Sequence, residues 1–254
     1  ELIFHATVRN IRKSHGNAIA GLLLNIAQMV LMVVFFFVIA QLLSRRVPLR
    51  GDYLLFLISG VMPFFAHVKV ITAVVSSGGP VAPMMKHAPM NTAIAIGAAA
   101  LAVLYIQVLS VAIILFVYHA AIHPISIHHP VMAFGMYMLA WFYGLSIGVV
   151  LLAIKPWSPS VVMMVTMIYR RVSMFASGKM FVANQMPSYM LIYFTWNPLF
   201  HCIDQTRGAM FINYYPHHSS ATYPLWVALT VFVLGMMAEF YTRQRVSASW
   251  NAGR

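Results

Sequence analysis

The sequence predicts an all-α integral membrane protein with six transmembrane helices, an N-terminal amphipathic interface helix and a re-entrant helical hairpin before the last span. Three observations predict it. Of the 254 residues, 61% are hydrophobic and only 8% are charged, against about 25% charged residues in ordinary soluble domains. Apolar runs at 18 to 43, 53 to 75, 92 to 118, 131 to 154, 160 to 182 and 223 to 242 each approach the ~20 residues that a bilayer-crossing helix needs. No regular ten-residue alternation marks a barrel, and helices satisfy their own backbone in lipid. With no internal repeat and no soluble domain, residues 1–254 read as one membrane domain.

Residues 1–15 form the interface helix. Phe4, Val8 and Ile11 lie on one helical face and His5, Arg9, Arg12 and Lys13 on another, the pattern of a helix lying in a membrane surface. Its basic character puts the N-terminus in the cytoplasm. Six spans then return the C-terminus to that side, where Arg243, Arg245 and Arg254 agree with the placement. The first apolar run is too long for a signal-peptide core and lacks a cleavage pattern, so no cleavable leader is expected. The loop SRRVPLRGDY, 44 to 53, disagrees with the usual charge asymmetry, since it carries Arg45, Arg46 and Arg50 outside. These arginines are therefore expected to have work there.

Between the second and third spans, SSGGPVAPMMKHAPMN at 76–91 breaks the helical pattern with two glycines and three prolines. It is expected to hold a short cytoplasmic helix. Val81, Met84 and Met85, with Lys86 and His87 beside them, make it more apolar than a connector needs, as a surface for another protein would be.

Residues 184–211, between the fifth and sixth spans, contain two helix starts. Pro187 suits the first turn of one, and Asn197 suits the cap of a second with Pro198 at its first position. The first has room for about two turns and the second for about four, so neither crosses a bilayer alone. A re-entrant hairpin fits, with Trp196, Asn197, Pro198, Asp204 and Arg207 as its gate. Asp204 and Arg207, three apart, are placed to pair.

Sixteen Lys and Arg against four acids (Glu1, Asp52, Asp204 and Glu239) give a net charge of +12. Membrane topology and anionic lipid account for basic ends and loops without nucleic acid, and the scarcity of acids also suits a polyanionic substrate. Four carboxylates exclude an acid-lined proton relay and carboxylate catalysis as leading readings. The single cysteine, Cys202, excludes an intrachain disulfide. No Gly-rich phosphate cradle occurs, so ATP must be bound by another subunit if it powers this protein. Histidine is the one residue type that argues for an enzyme. His119, His123, His128 and His129, with His217 and His218, give a distant alternative of a histidine-box membrane metalloenzyme, although they fall in outer loops without a nearby carboxylate.

The order of features, together with SGKMFVANQMP at 177 to 187 and WNPLFHCIDQTRGAMF at 196 to 211, resembles the ABC-2 class of transporter permeases. It most resembles the subfamily that exports capsular and O-antigen polysaccharides. Trp196, Asn197, Pro198, Leu199 and Arg207 stand at that family's spacing. The resemblance implies a homodimer around a polymer path in a bacterial inner membrane. Residues 78 to 90 would dock each copy on a separate ATPase subunit that carries ATP and Mg. A periplasmic adaptor or polysaccharide co-polymerase and an outer-membrane export protein would continue the path, with a lipid-linked polysaccharide as cargo. The RRVPLR stretch is more basic than the family pattern and leaves the sub-type open. O-antigen, teichoic acid or a small lipophilic compound are the alternative cargoes, and no metal or catalytic residue is expected in this chain.

On that reading the cations inside TMIYRRVSMFASGKMF, 166 to 181, line the path of a polyanion: Arg170, Arg171 and Lys179, with Arg45, Arg46 and Arg50 receiving the polymer outside. On one regular helix Arg171 and Lys179 would lie about 80° apart in projection and about 12 Å apart along the axis, while Arg170 and Lys179 would face apart. Trp141 and Tyr169, with Tyr137, Tyr143 and Phe175, offer faces for sugar stacking. The bland alternative is that Arg170 and Arg171 snorkel to an interface and that Lys179 marks the outer end.

Overall fold

The computed structural model describes residues 1–13, 18–42, 52–78 and 91–245. The loop arginines Arg45, Arg46 and Arg50, the docking residues Val81, Met84, Met85, Lys86 and His87, and Arg254 lie outside the described residues. Those described form the helices α1 (Leu2–Lys13), α2 (Ala18–Leu42), α3 (Tyr53–Ser76), α4 (Thr92–Ala121), α5 (Pro130–Ile154), α6 (Pro159–Ala176), α7 (Ser188–Thr195), α8 (Pro198–Met210) and α9 (Thr222–Arg245). A 3-10 turn, Ala183–Gln185, precedes α7. Five helices, α2, α3, α4, α5 and α9, are long and apolar enough to cross a membrane, so the chain is a helical, multi-pass membrane protein.

The fifth expected span, 160 to 182, departs from expectation. Its helix stops at Ala176, because Gly178 takes the left-handed conformation at φ 72°, which favours glycine and ends helices. Lys179 therefore lies past the helix, and the projected angles that assumed one regular helix through it do not apply.

We refer to the end of the bundle where α3 and α5 begin as the upper end. At the centre, α3 and α5 run parallel in close approach, with Gly144 at His67 and Gly148 at Val74. Ala140, Gly144 and Gly148 recur every four residues on α5, the small-residue spacing that lets membrane helices meet backbone to backbone. A Cβ on Gly144 would lie 2.5 Å from the His67 carbonyl oxygen, and one on Gly148 would lie 3.0 Å from Val74 Cβ. The other side of α5 receives α9, where a Cβ on Gly235 would meet Val150 at 3.0 Å. Helices α2 and α4 pack beside α3, and α1 lies against α4 with Ala6 buried.

Polar contacts fix both ends and one interior seam. At the upper end Asp52 caps α3 by accepting from the Leu54 N–H at 2.9 Å, and it also accepts from the Tyr118 hydroxyl of α4. At the lower end Lys155 donates to the Val75 carbonyl at 2.6 Å, and burial pulls its ammonium below the ordinary lysine range. Arg243 there donates to Asn91 at 2.9 Å. Between α2 and α4, Gln107 donates to Asn25 and Asn25 to Ser110, both at 2.8 Å.

Helix α8 has the expected start, whereas α7 begins at Ser188 with Pro187 as its cap residue rather than inside its first turn. The Pro187 carbonyl accepts from Met190 and Leu191. Asn197 caps α8 by accepting from the Leu199 N–H at 3.1 Å, with Pro198 next. The first residues of α8 pack among Phe64, Val68, Ala140 and Tyr143 in the middle of α3 and α5. Its last turn reaches the upper end, where the Ala209 carbonyl accepts from His129 N–H at 2.8 Å. A 13-residue helix thus runs beside only the upper half of the 25-residue α5.

Candidate functional site

An open groove of about 690 Å³ lies between α2, α3 and α6. Lys69 on α3 and Arg170 and Arg171 on α6 line it, and no acid does. The rest of its wall is Gln28, Leu31 and Met32 of α2, Phe64, Phe65 and Val68 of α3, and Met167 and Met174 of α6. Both arginines are exposed and Lys69 is half-buried. The Lys69 ammonium donates to Gln28 Oε1 at 2.5 Å and sits 5.9 Å from the centre of the Phe65 ring. It also lies within electrostatic reach of Arg170. Like charges gathered among apolar walls repel one another, and an anion between them removes that repulsion.

Both arginines reach the groove although they are adjacent in sequence. Helix α6 stands at the side of the bundle and buries only Val162, Thr166 and Ser173, so each long side chain can swing round its helix. The main polar tie of α6 to the core is Tyr169, whose hydroxyl meets His67 Nε2 at 2.9 Å. His67 Nδ1 faces the Ala140 carbonyl at 3.1 Å. The carbonyl can only accept, so Nδ1 carries the proton and Nε2 accepts from Tyr169. Tyr143 stacks on the same imidazole with ring centres 5.0 Å apart.

Lys179 is buried behind the groove rather than facing it. Its ammonium sits 3.3 Å from the centre of the Phe64 ring, 5.5 Å from that of Phe36 and 3.8 Å from Met32 Sδ. Phe64 and Met32 belong to the groove wall as well, so one layer of side chains separates this cation from the other three.

Arg207 is fully buried and organises the chain around Lys179. It donates to the carbonyls of Gly178 at 2.9 Å, Phe181 at 2.7 Å and Lys179 at 2.5 Å, while its guanidinium carbon lies 4.0 Å from the centre of the Phe56 ring. The expected hydrogen-bonded pair of Asp204 and Arg207 does not form. Asp204 instead accepts from the Tyr214 hydroxyl and from Ser219 Oγ at 2.7 Å, and the arginine's fork is taken by the three carbonyls.

The remaining expected residues are dispersed. Trp141 bridges α5 to α4 by donating to the Ala100 carbonyl at 3.3 Å, and Tyr137 is buried in the core. Phe175 is exposed on α6. Trp196 is exposed; its indole donates to the Tyr193 carbonyl at 2.6 Å and its own carbonyl accepts from the Tyr223 hydroxyl at 2.8 Å. Among the described residues no three His, Cys, Asp or Glu side chains gather as a metal site. His119 instead accepts from the Ile125 N–H at 2.9 Å, and the rings of His128 and His129 lie 3.9 Å apart.

The sequence reading missed Lys69, although it is the one formal charge in the run 53 to 75. A charge in such a position is by default functional. Compared with known proteins, the chain matches no family model, and no curated protein matches it either.

Proposed function

We propose that the chain is the permease subunit of an ABC-2-type exporter that moves an acidic, lipid-linked capsular polysaccharide across a bacterial inner membrane. Its carrying observation is the groove of Lys69, Arg170 and Arg171, acid-free and walled by Phe64 and Phe65. Fixed cations within a membrane domain lower the electrostatic barrier to a polyanion without any reaction at the site. The resemblance of WNPLFHCIDQTRGAMF to the polysaccharide-export permeases supports the same reading. O-antigen, teichoic acid or a small lipophilic compound are the other cargoes such a permease would take.

On this proposal α6 is the fifth of six spans, completed by the turn that carries Lys179. Helices α7 and α8 form a hairpin re-entering from the periplasmic side, and both termini face the cytoplasm. Two copies enclose the path. The exposed apolar face of α6, with Met163, Met167 and Val172, supplies surface for that assembly. Val81, Met84, Met85, Lys86 and His87 dock a separate ATPase, which carries ATP and Mg.

Co-expression with the candidate ATPase tests the proposal. The two proteins should co-purify, and glycan should reach the cell surface only when both are present. Met84→Asp combined with Met85→Asp should abolish co-purification and export while the permease still inserts. Export at the parental rate without any ATPase would overturn the reading.

A further inference from the structure

Resting on the reading of the groove as an anion path, we propose that its full complement is four cations: Lys69, Arg170 and Arg171 in the wall, and Lys179 held in reserve behind Phe64. The ligand it takes is an oxyanion, phosphate or carboxylate, carried by an amphiphile.

The backbone and side chain of Lys179 are held in opposite ways. Arg207 binds the carbonyls of Gly178, Lys179 and Phe181, and Gly60 leaves no room for displacement, since a Cβ there would lie 2.9 Å from the Lys179 carbonyl. The backbone is therefore fixed. The ammonium, by contrast, has only ring faces and a thioether around it, with no carboxylate partner among the described residues. A cation over a ring is held more weakly than one hydrogen-bonded to an anionic oxygen. Phe64 and Met32 are shared between this cage and the groove. An anion settling among the other three cations lies one side-chain layer from Lys179, and rotation about the lysine side chain alone brings the fourth charge to it. The groove's apolar wall, Leu31, Met32, Met167 and Met174, suits the hydrocarbon portion of the same molecule.

The test uses the full chain in detergent with lysine labelled by ¹³C at the ε-carbon. Only five lysines are present, and the resonance absent from Lys179→Met identifies Lys179. The Phe64 ring should shift that resonance upfield. Phosphatidylglycerol in mixed micelles and a soluble uronic-acid oligosaccharide are added as separate probes, with phosphatidylcholine as the neutral control. One anionic probe should return the resonance to the ordinary lysine position, and which one does so distinguishes a lipid phosphate from a glycan carboxylate. Lys179→Met should bind that probe about tenfold more weakly, with Lys179→Arg closer to wild type. Unchanged thermal denaturation in Lys179→Met would show that the loss is not one of folding. If the resonance stays upfield at saturation while Lys69→Gln and Arg170→Gln weaken binding, the reserve cation is overturned and the groove reading stands. If no variant alters the binding of either probe, both are overturned.

Discussion

Arg207 and Gly60 meet across the α3–α8 seam with no space between them: a Cβ on Gly60 would lie 2.8 Å from the Arg207 guanidinium nitrogen Nη2. The missing side chain on α3 lets a buried arginine of α8 lie flat on Phe56 and reach three carbonyls beyond the end of α6. Gly60→Ala should therefore destabilise the protein by about 1–3 kcal/mol, the range for overpacking a filled core. Gly97→Ala, at a helical glycine with nothing within 4 Å, should be neutral or mildly stabilising. Thermal denaturation in detergent separates the two, and equal effects would mean that the seam is looser than described.

Replacing Arg207 itself should have a larger effect. Arg207→Met keeps contact with Phe56 but strands the carbonyls of Gly178, Lys179 and Phe181, at a cost on the order of 2–4 kcal/mol. Arg207→Lys should recover less than half of it, because a point charge cannot fork to several carbonyls. The same denaturation measurement checks both, and full recovery by lysine would show that charge alone matters.

Asn197 joins two helices at once. Its Oδ1 caps α8, and its Nδ2 donates to the Ala176 carbonyl at the end of α6 at 2.9 Å. Asn197→Ala should cost about 1–2 kcal/mol, whereas Asn197→Asp should keep the cap and lose the tie to α6. If the hairpin re-enters the membrane, cysteines placed along 190 to 210 should be protected near Asn197 and labelled near Met210. Uniform labelling would make the segment an exterior loop.

In the groove, Arg171→Lys should export better than Arg171→Gln if positive potential is what the path needs; a planar bidentate contact would make both fail. Lys69→Gln should reduce export at least as much as Arg171→Gln, since Lys69 is less solvated and less screened. Arg45, Arg46 and Arg50 should matter mainly when neutralised together. Each variant is compared at matched membrane level and matched ATPase stimulation, and parental export by the neutral variants would make these residues structural.

Much of this architecture is legible in the sequence because hydrocarbon imposes a length on apolar runs. Five of the six expected runs are helices long enough to cross, and Asn197–Pro198 starts its helix as cap chemistry predicts. The failures share a cause: hydropathy does not record backbone conformation. The run 160 to 182 reads as continuous, yet Gly178 turns the chain at φ 72° and carries Lys179 into a cage that no helical projection shows. Asp204 and Arg207 stand at pairing distance along one helix, but the segment around Tyr214 and Ser219 folds back to claim the carboxylate, a tertiary choice invisible to spacing. Lys69 and the glycines at 144 and 148 were legible in type, and only the packing of α3 on α5 shows what each is for.

The Asn25–Gln107–Ser110 seam has a consequence for how the chain is made. Its hydrogen bonds join residues 82 and 85 positions apart, so α2 enters the membrane with a bare amide whose partners have not yet been synthesised. At about 5–20 residues per second, that interval lasts roughly 4–17 s. During it Asn25 must find water at the insertion site or the backbone of its own helix, because α3 supplies no hydrogen bond to it. Arrival of α4 ends the wait and sets the register of α2, since slipping by one turn, about 5.4 Å, would part the amides again. Helix α2 is thus seated only after α3 has been made and α4 has arrived.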